Sequence, residues 1–103
     1  MSEALSHVPV MLDDVLDIIS PQDGEVYVDG TFGAGGYTKA ILDAADCTVI
    51  GLDRDVSAQR FAERLRDEYK GRFIFRKAAF GDLRNVLSEI DISSVDGIVL
   101  DVG

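Results

Sequence analysis

The sequence predicts an α/β domain with a doubly wound parallel sheet, and three observations carry that prediction. Four short runs rich in β-branched and aromatic residues recur along the chain, and the segments between them carry apolar residues at helical spacing. Such alternation implies parallel strands joined by right-handed crossovers. The second observation is Val26 to Tyr37, VYVDGTFGAGGY, in which a strand passes through a glycine-rich turn straight into a helix. The third is that three of the four strands end in aspartate, at Asp29, Asp53 and Asp101. Ligands of open α/β sheets bind outside the carboxyl ends of the strands, so these acids fall where a site is expected.

Taken in order, Met1 to Val8 reads as a polar leader. Pro9 suits a first helical turn, and Met11, Leu12, Val15, Leu16 and Ile19 follow at helical spacing. Ser20-Pro21 and the polar Gln22-Asp23-Gly24 end that helix. Val26-Tyr27-Val28 is a buried strand. After the turn, a helix runs from about Tyr37 to Ala45 with Ala40, Ile41 and Ala44 on one side. Thr48 to Asp53, TVIGLD, is a second strand, apolar on both faces as a parallel sheet requires. The longest helix spans Val56 to Tyr69, with Val56, Phe61 and Leu65 inward and Arg60, Glu63, Arg64 and Asp67 toward water. Gly71 is its expected C-cap. Phe73-Ile74-Phe75 forms the third strand, Leu83 to Ile90 a short helix, and Val95 to Asp101 the fourth strand. A strand order of 3-2-1-4 leaves the fourth strand with one free edge, so residues 1–103 are read as the N-terminal part of a longer protein.

A chain of 103 residues with 47% hydrophobic and 28% charged content suits one modest soluble domain. No apolar run approaches the ~20 residues of a membrane span, and no signal peptide is visible. The single cysteine, Cys47, fits a reducing cytoplasm, and one cysteine with one histidine, His7, supplies no zinc site. The net charge of −9 repels phosphate backbones, so this segment by itself carries no electrostatic footprint for nucleic acid.

The wording of the glycine turn narrows the ligand. Counted from Gly33, the dinucleotide fingerprint has glycine at its third place, Gly35, but Thr38 at its sixth. No GxxxxGK[ST] string occurs, so a P-loop is excluded. Asp53 follows Gly33 by 20 residues, the offset of an acid that accepts hydrogen bonds from ribose hydroxyls. Phe80 offers a flat apolar face against an adenine ring, and Asp29 suits an anchor for the turn. An acidic rim with a glycine loop favours a cationic nucleoside, and S-adenosylmethionine has ribose hydroxyls, a sulfonium and no phosphate. A nicotinamide-dependent oxidoreductase and a non-catalytic α/β binding module stay open beside it.

The segments HVPVMLDDVLDII, VYVDGTFGAGGYTKAIL, VIGLDRD, FGDL and VDGIVLDVG resemble, in order, the ribosomal RNA small subunit methyltransferase H family. That resemblance implies a Rossmann-like sheet of the class I methyltransferase type, of which the first half is present. It further implies S-adenosylmethionine as cofactor and methylation of N4 of a cytosine in small-subunit (16S) ribosomal RNA. Cofactor contacts would fall on Gly35, Gly36, Tyr37, Asp53, Phe80 and Asp101, with a Cβ at Gly35 expected to obstruct the cofactor. Tyr37 replaces the commoner histidine of the motif, and Val102 the more usual leucine. The helical substrate domain, and with it most RNA contacts, would lie beyond residue 103. The catalytic group is not assigned, and no metal is expected.

Overall fold

The computed structural model describes residues 12–100; the leader, Pro9, Met11, Asp101 and Val102 lie outside the described residues. Helix α1 (Leu12–Ile19) precedes β1 (Val26–Asp29), α2 (Gly36–Ala44), β2 (Thr48–Leu52), α3 (Ala58–Glu68) and β3 (Phe73–Arg76). A 3₁₀ turn (Phe80–Asp82) leads into α4 (Leu83–Glu89), and β4 (Gly97–Val99) follows. The strands form one sheet in the order β3-β2-β1-β4, and every pair is parallel. This is the expected doubly wound α/β arrangement, with β1 and β2 at its centre.

Side chains alternate across the strands, so each face of the sheet builds its own core. Tyr27, Val49, Phe73 and Phe75 join Ile41, Leu42, Ala62 and Leu65 in one cluster, the side covered by α2 and α3. Val28, Ile50 and Leu52 meet Val86 on the opposite face, with Leu83, Leu87 and Ile90 packed around them.

Three expected details differ. Val56 is 60% exposed, and the inward face of α3 is Ala58, Ala62 and Leu65, because Ser57 N–H binds the Asp55 carboxylate (2.9 Å) and Ala58 N–H binds the Asp55 carbonyl (3.0 Å). That extra turn delays the helix and rotates its apolar stripe. On α2 the buried residues are Thr38, Ile41 and Leu42, while Ala44 is exposed. The fourth strand is shorter than its apolar run, since Asp96 closes its start by pairing with Val26 through both its carboxylate (2.8 Å) and its own N–H (2.7 Å).

Behind the sheet, Arg72 holds the end of α2. Its guanidinium donates to the carbonyls of Leu42 (3.2 Å), Ala45 (2.9 Å) and Cys47 (3.1 Å), groups a helix terminus leaves without internal partners. Arg72→Met keeps the apolar stem and removes these donors, so it is expected to destabilise the intact protein by about 1–3 kcal/mol. Urea denaturation checks this, and an unchanged midpoint would mean that water satisfies the carbonyls equally well.

Candidate cofactor site

At the carboxyl end of the sheet, a cleft of about 260 Å³ opens between the ends of β1 and β2 and the segment that follows β3. Gly30, Thr31, Asp53, Arg54, Ala78, Ala79 and Phe80 line it. A larger concavity of about 1000 Å³ runs along the 3₁₀ turn and α4 and shares only Phe80 with this cleft. Asp53 and the start of the glycine turn line the smaller cleft and not the larger one, so the smaller cleft is the candidate site.

The glycine turn is shaped from inside. Phe32, 3% exposed, folds back into the core and stacks on Phe73 with ring centroids 5.4 Å apart. It fits because Gly51 of β2 has no side chain; a Cβ there would lie 2.9 Å from Phe32 Cδ1. The Phe32 N–H bonds the Leu52 carbonyl (3.0 Å), and its own carbonyl accepts the Gly35 N–H (2.8 Å). Gly35 is the N-cap of α2 with φ +87°, the left-handed region that favours glycine. Its missing Cβ would meet Leu65 Cδ1 and Phe32 Cζ, both at 2.9 Å. A side chain at Gly35 would strike the core, a reason for glycine here that packing supplies and the sequence did not show. Gly36 is exposed with open space where its Cβ would be, and Tyr37 is half-buried against the core. The N-cap Gly35 has no side chain to cap α2 and no acid stands within its first turn, while the Asp29 carboxyl behind it takes the Thr38 hydroxyl and backbone N–H.

Asp53 and the turn are directly bonded. Asp53 Oδ2 accepts the Gly33 N–H at 2.7 Å, and Oδ1 accepts the Asp55 N–H at 2.9 Å. The 20-residue offset read from the sequence is thus a physical tie between β2 and the glycine turn. A carboxylate offers about four lone-pair sites, so two remain for a ligand. Phe80, 37% exposed, stands at the rim, and Gly30 lets it approach the end of β1, since a Cβ on Gly30 would lie 2.9 Å from Phe80 Cδ1.

Beneath the cleft, Asp29 is fully buried. Its Oδ2 accepts the Thr38 hydroxyl (2.7 Å) and its Oδ1 the Thr31 N–H (3.3 Å), which confirms its role as an anchor of the turn. Burial pushes its carboxyl above the ordinary range, partly offset by the hydrogen bonds of Thr38 and Thr31. Phe32 is a residue that sequence reasoning passed over, and Thr38 figured there only as a departure from the dinucleotide fingerprint. Both stand in the quoted motif, Thr38 at the very place where a dinucleotide site needs a small residue.

The model of the MraW methylase family matches residues 4–103. The chain belongs to that family. It is 51% identical over 102 residues to the ribosomal RNA small subunit methyltransferase H of Parvibaculum lavamentivorans, covering 99% of this chain and 30% of that protein. The protein of the same name from Maricaulis maris is 50% identical, with 94% of this chain and 29% of that protein covered. The Anaplasma phagocytophilum one is 47% identical, with 95% and 33% covered. The chain thus spans about 30% of the length of these family members. Among solved structures, a precorrin 8W decarboxylase of Methanobacterium thermoautotrophicum matches with a TM-score of 0.68 at 20% identity, over 90% of this chain and 50% of that one, a likeness of fold.

Two expectations follow from this geometry. Gly35→Ala combines left-handed backbone strain of about 1–2 kcal/mol with a core overlap of about 1–3 kcal/mol, so a loss of ~2–5 kcal/mol is expected. Gly36→Ala should leave stability within about 1 kcal/mol of native. Denaturant titration of both variants checks this, and equal stability of the Gly35 variant would contradict the packing described.

The second concerns Asp29. A folded-state pKa above the ordinary 3.8 means that the folded protein holds this proton more tightly than the unfolded chain does. Its contribution to stability is complete below 3.8 and is lost as pH rises through the folded value. Asp29→Asn does not ionise, so its stability relative to native should improve as pH rises through that window. Parallel pH profiles of the unfolding midpoint would show no such divergence if Asp29 were solvated.

Proposed function

We propose that residues 1–103 form the N-terminal part of an S-adenosylmethionine-binding domain, in an enzyme that methylates N4 of a cytosine in small-subunit ribosomal RNA. The observation that carries this reading is the Asp53–Gly33 bond, which sets an acceptor carboxylate at the lip of a cleft beside the glycine turn. Family membership supports the reaction class, and the names of the relatives support the RNA substrate. Among the described residues no helix is long and apolar enough to cross a membrane, and the reading implies a cytoplasmic protein.

The residues present fit the cofactor. Ribose hydroxyls are donors, and Asp53 supplies acceptor capacity in the cleft. Adenine needs a flat apolar partner and a narrow slot, which Phe80 with Ala78 and Ala79 would provide. The start of α2 at Gly35, Gly36 and Tyr37 suits the amino-acid end of the ligand, whose carboxylate is complementary to a helix N-terminus. Asp101, by the family resemblance, completes the set. When bound, S-adenosylmethionine supplies an electrophilic methyl group for in-line displacement. The chain's own contribution is alignment, since holding reactants in one geometry lowers most of such a barrier. RNA contacts are assigned to the remainder of the enzyme, because a net charge of −9 opposes phosphate binding here.

Asp53→Ala in the intact protein should weaken S-adenosylmethionine and S-adenosylhomocysteine alike by roughly ten- to hundredfold, as loss of charge-assisted hydrogen bonds of about 1.5–3 kcal/mol requires. Calorimetry with both ligands and with NAD decides the matter. Tight NAD binding without S-adenosylmethionine binding would move the protein to the oxidoreductases. Transfer of labelled methyl to small-subunit rRNA, mapped to a cytosine N4, tests the substrate.

A further inference from the structure

The glycine turn from Gly30 to Gly35 is bracketed by a buried polar pair. Asp29 is the last residue of β1 and Thr38 sits in the first turn of α2, and both are 0% exposed. The Thr38 hydroxyl lies 2.7 Å from Asp29 Oδ2, while Oδ1 takes the Thr31 N–H. Glycine at positions 30, 33, 35 and 36 leaves this segment with more backbone freedom than any other residue would, and ordering it costs entropy. Something must therefore hold both ends. Phe32 secures the middle, and Asp53 secures Gly33. The start of α2, where Gly36 and Tyr37 present their backbone, is tied to the end of β1 by the Thr38 hydroxyl.

A side chain at position 38 needs only to be small to pack; it needs a hydroxyl only if the carboxylate behind it must be satisfied. Asp29 also accepts the Thr38 backbone N–H, so removing the hydroxyl would strip one of its donors and leave a buried carboxyl under-satisfied, which is costly away from water. The first turn of α2 would then shift toward whatever arrangement rehydrates Asp29. We propose that Thr38 is a positioning residue for the cofactor site, its hydroxyl acting through Asp29 to orient the N-terminus of α2. The proposal rests on the reading of this turn as an S-adenosylmethionine site, and it adds a residue that touches no ligand.

The test compares Thr38→Val, which keeps the branched shape and deletes the donor, with Thr38→Ser, which restores it. In the intact protein, Thr38→Val should weaken S-adenosylmethionine binding by about tenfold, the ~1.4 kcal/mol that loss of one hydrogen bond to a buried acceptor is expected to cost. It should raise KM for S-adenosylmethionine while kcat at saturation stays within about threefold. Thr38→Ser should bind within about threefold of native. Native affinity in Thr38→Val, or failure of Thr38→Ser to restore it, overturns the proposal. Should Thr38→Val not fold, Thr38→Cys, a weak donor of similar size, is expected to bind less tightly than native, and native affinity there would overturn it equally. A native protein that binds no S-adenosylmethionine refutes the function reading instead. Hydrogen exchange at the Gly36 and Tyr37 amides, measured without ligand, still decides the positioning role: it should quicken in Thr38→Val and recover in Thr38→Ser, and unchanged exchange refutes it.

Discussion

The seating of Phe32 over Gly51 is the contact on which the site depends. A turn rich in glycine has no stiffness of its own, so its shape must come from what it packs against. Phe32 supplies this by burying a ring between Phe73 and Phe75, centroids 5.4 Å away in each case, in space that Gly51 and Gly35 leave empty. A ring of this size is among the largest apolar burials available to one side chain, and a stacked pair adds about 0.5–1.5 kcal/mol beyond its area. The turn is thereby locked to β2 and β3, the strands whose ends form the far wall of the cleft.

Polar ties then refine what the ring has located. Asp53 reaches across from β2 to Gly33, and Asp29 reaches from β1 to Thr31 and Thr38. Two carboxylates at adjacent strand ends play different parts because their surroundings differ. Asp29 is sealed, its oxygens engaged by protein donors, and burial raises its pKa. Asp53 is half-buried, lines the cleft and keeps acceptor capacity outward. One is scaffold, and the other keeps acceptor capacity at the lip of the cleft, the division that the proposed nucleoside site would need.

The outer side of α2 is held by charge. Lys39 bonds Glu68 (2.8 Å) and the Tyr69 hydroxyl (2.9 Å), and Tyr69 in turn donates to Asp43. These contacts bridge α2 to the end of α3, and Arg72 gathers the last carbonyls of α2. Exposed ion pairs contribute little individually, so their importance here lies in fixing the direction of α2, and with it the aim of its N-terminus.

The architecture, the strand order and the place of the candidate cleft were legible in the residues themselves, because two-fold and 3.6-fold apolar spacing and the glycine turn are local signals. Asp53 was legible as well, since its offset from Gly33 reflects the length of one β-α-β step. The burial phase of α3 was not: the Asp55 turn ahead of Ala58 rotates the helix away from Val56, and only the bonds at Ser57 and Ala58 reveal it. Phe32 read as a turn residue because its burial requires space opened by Gly51, nineteen positions later. The purpose of each glycine was equally beyond the sequence. A positive φ and a missing Cβ look the same in a string of letters whether the space beside them holds a ligand, a ring or nothing. Only the tertiary packing shows that a side chain at Gly35 would meet Phe32 and Leu65, and one at Gly30 would meet Leu100 and Phe80.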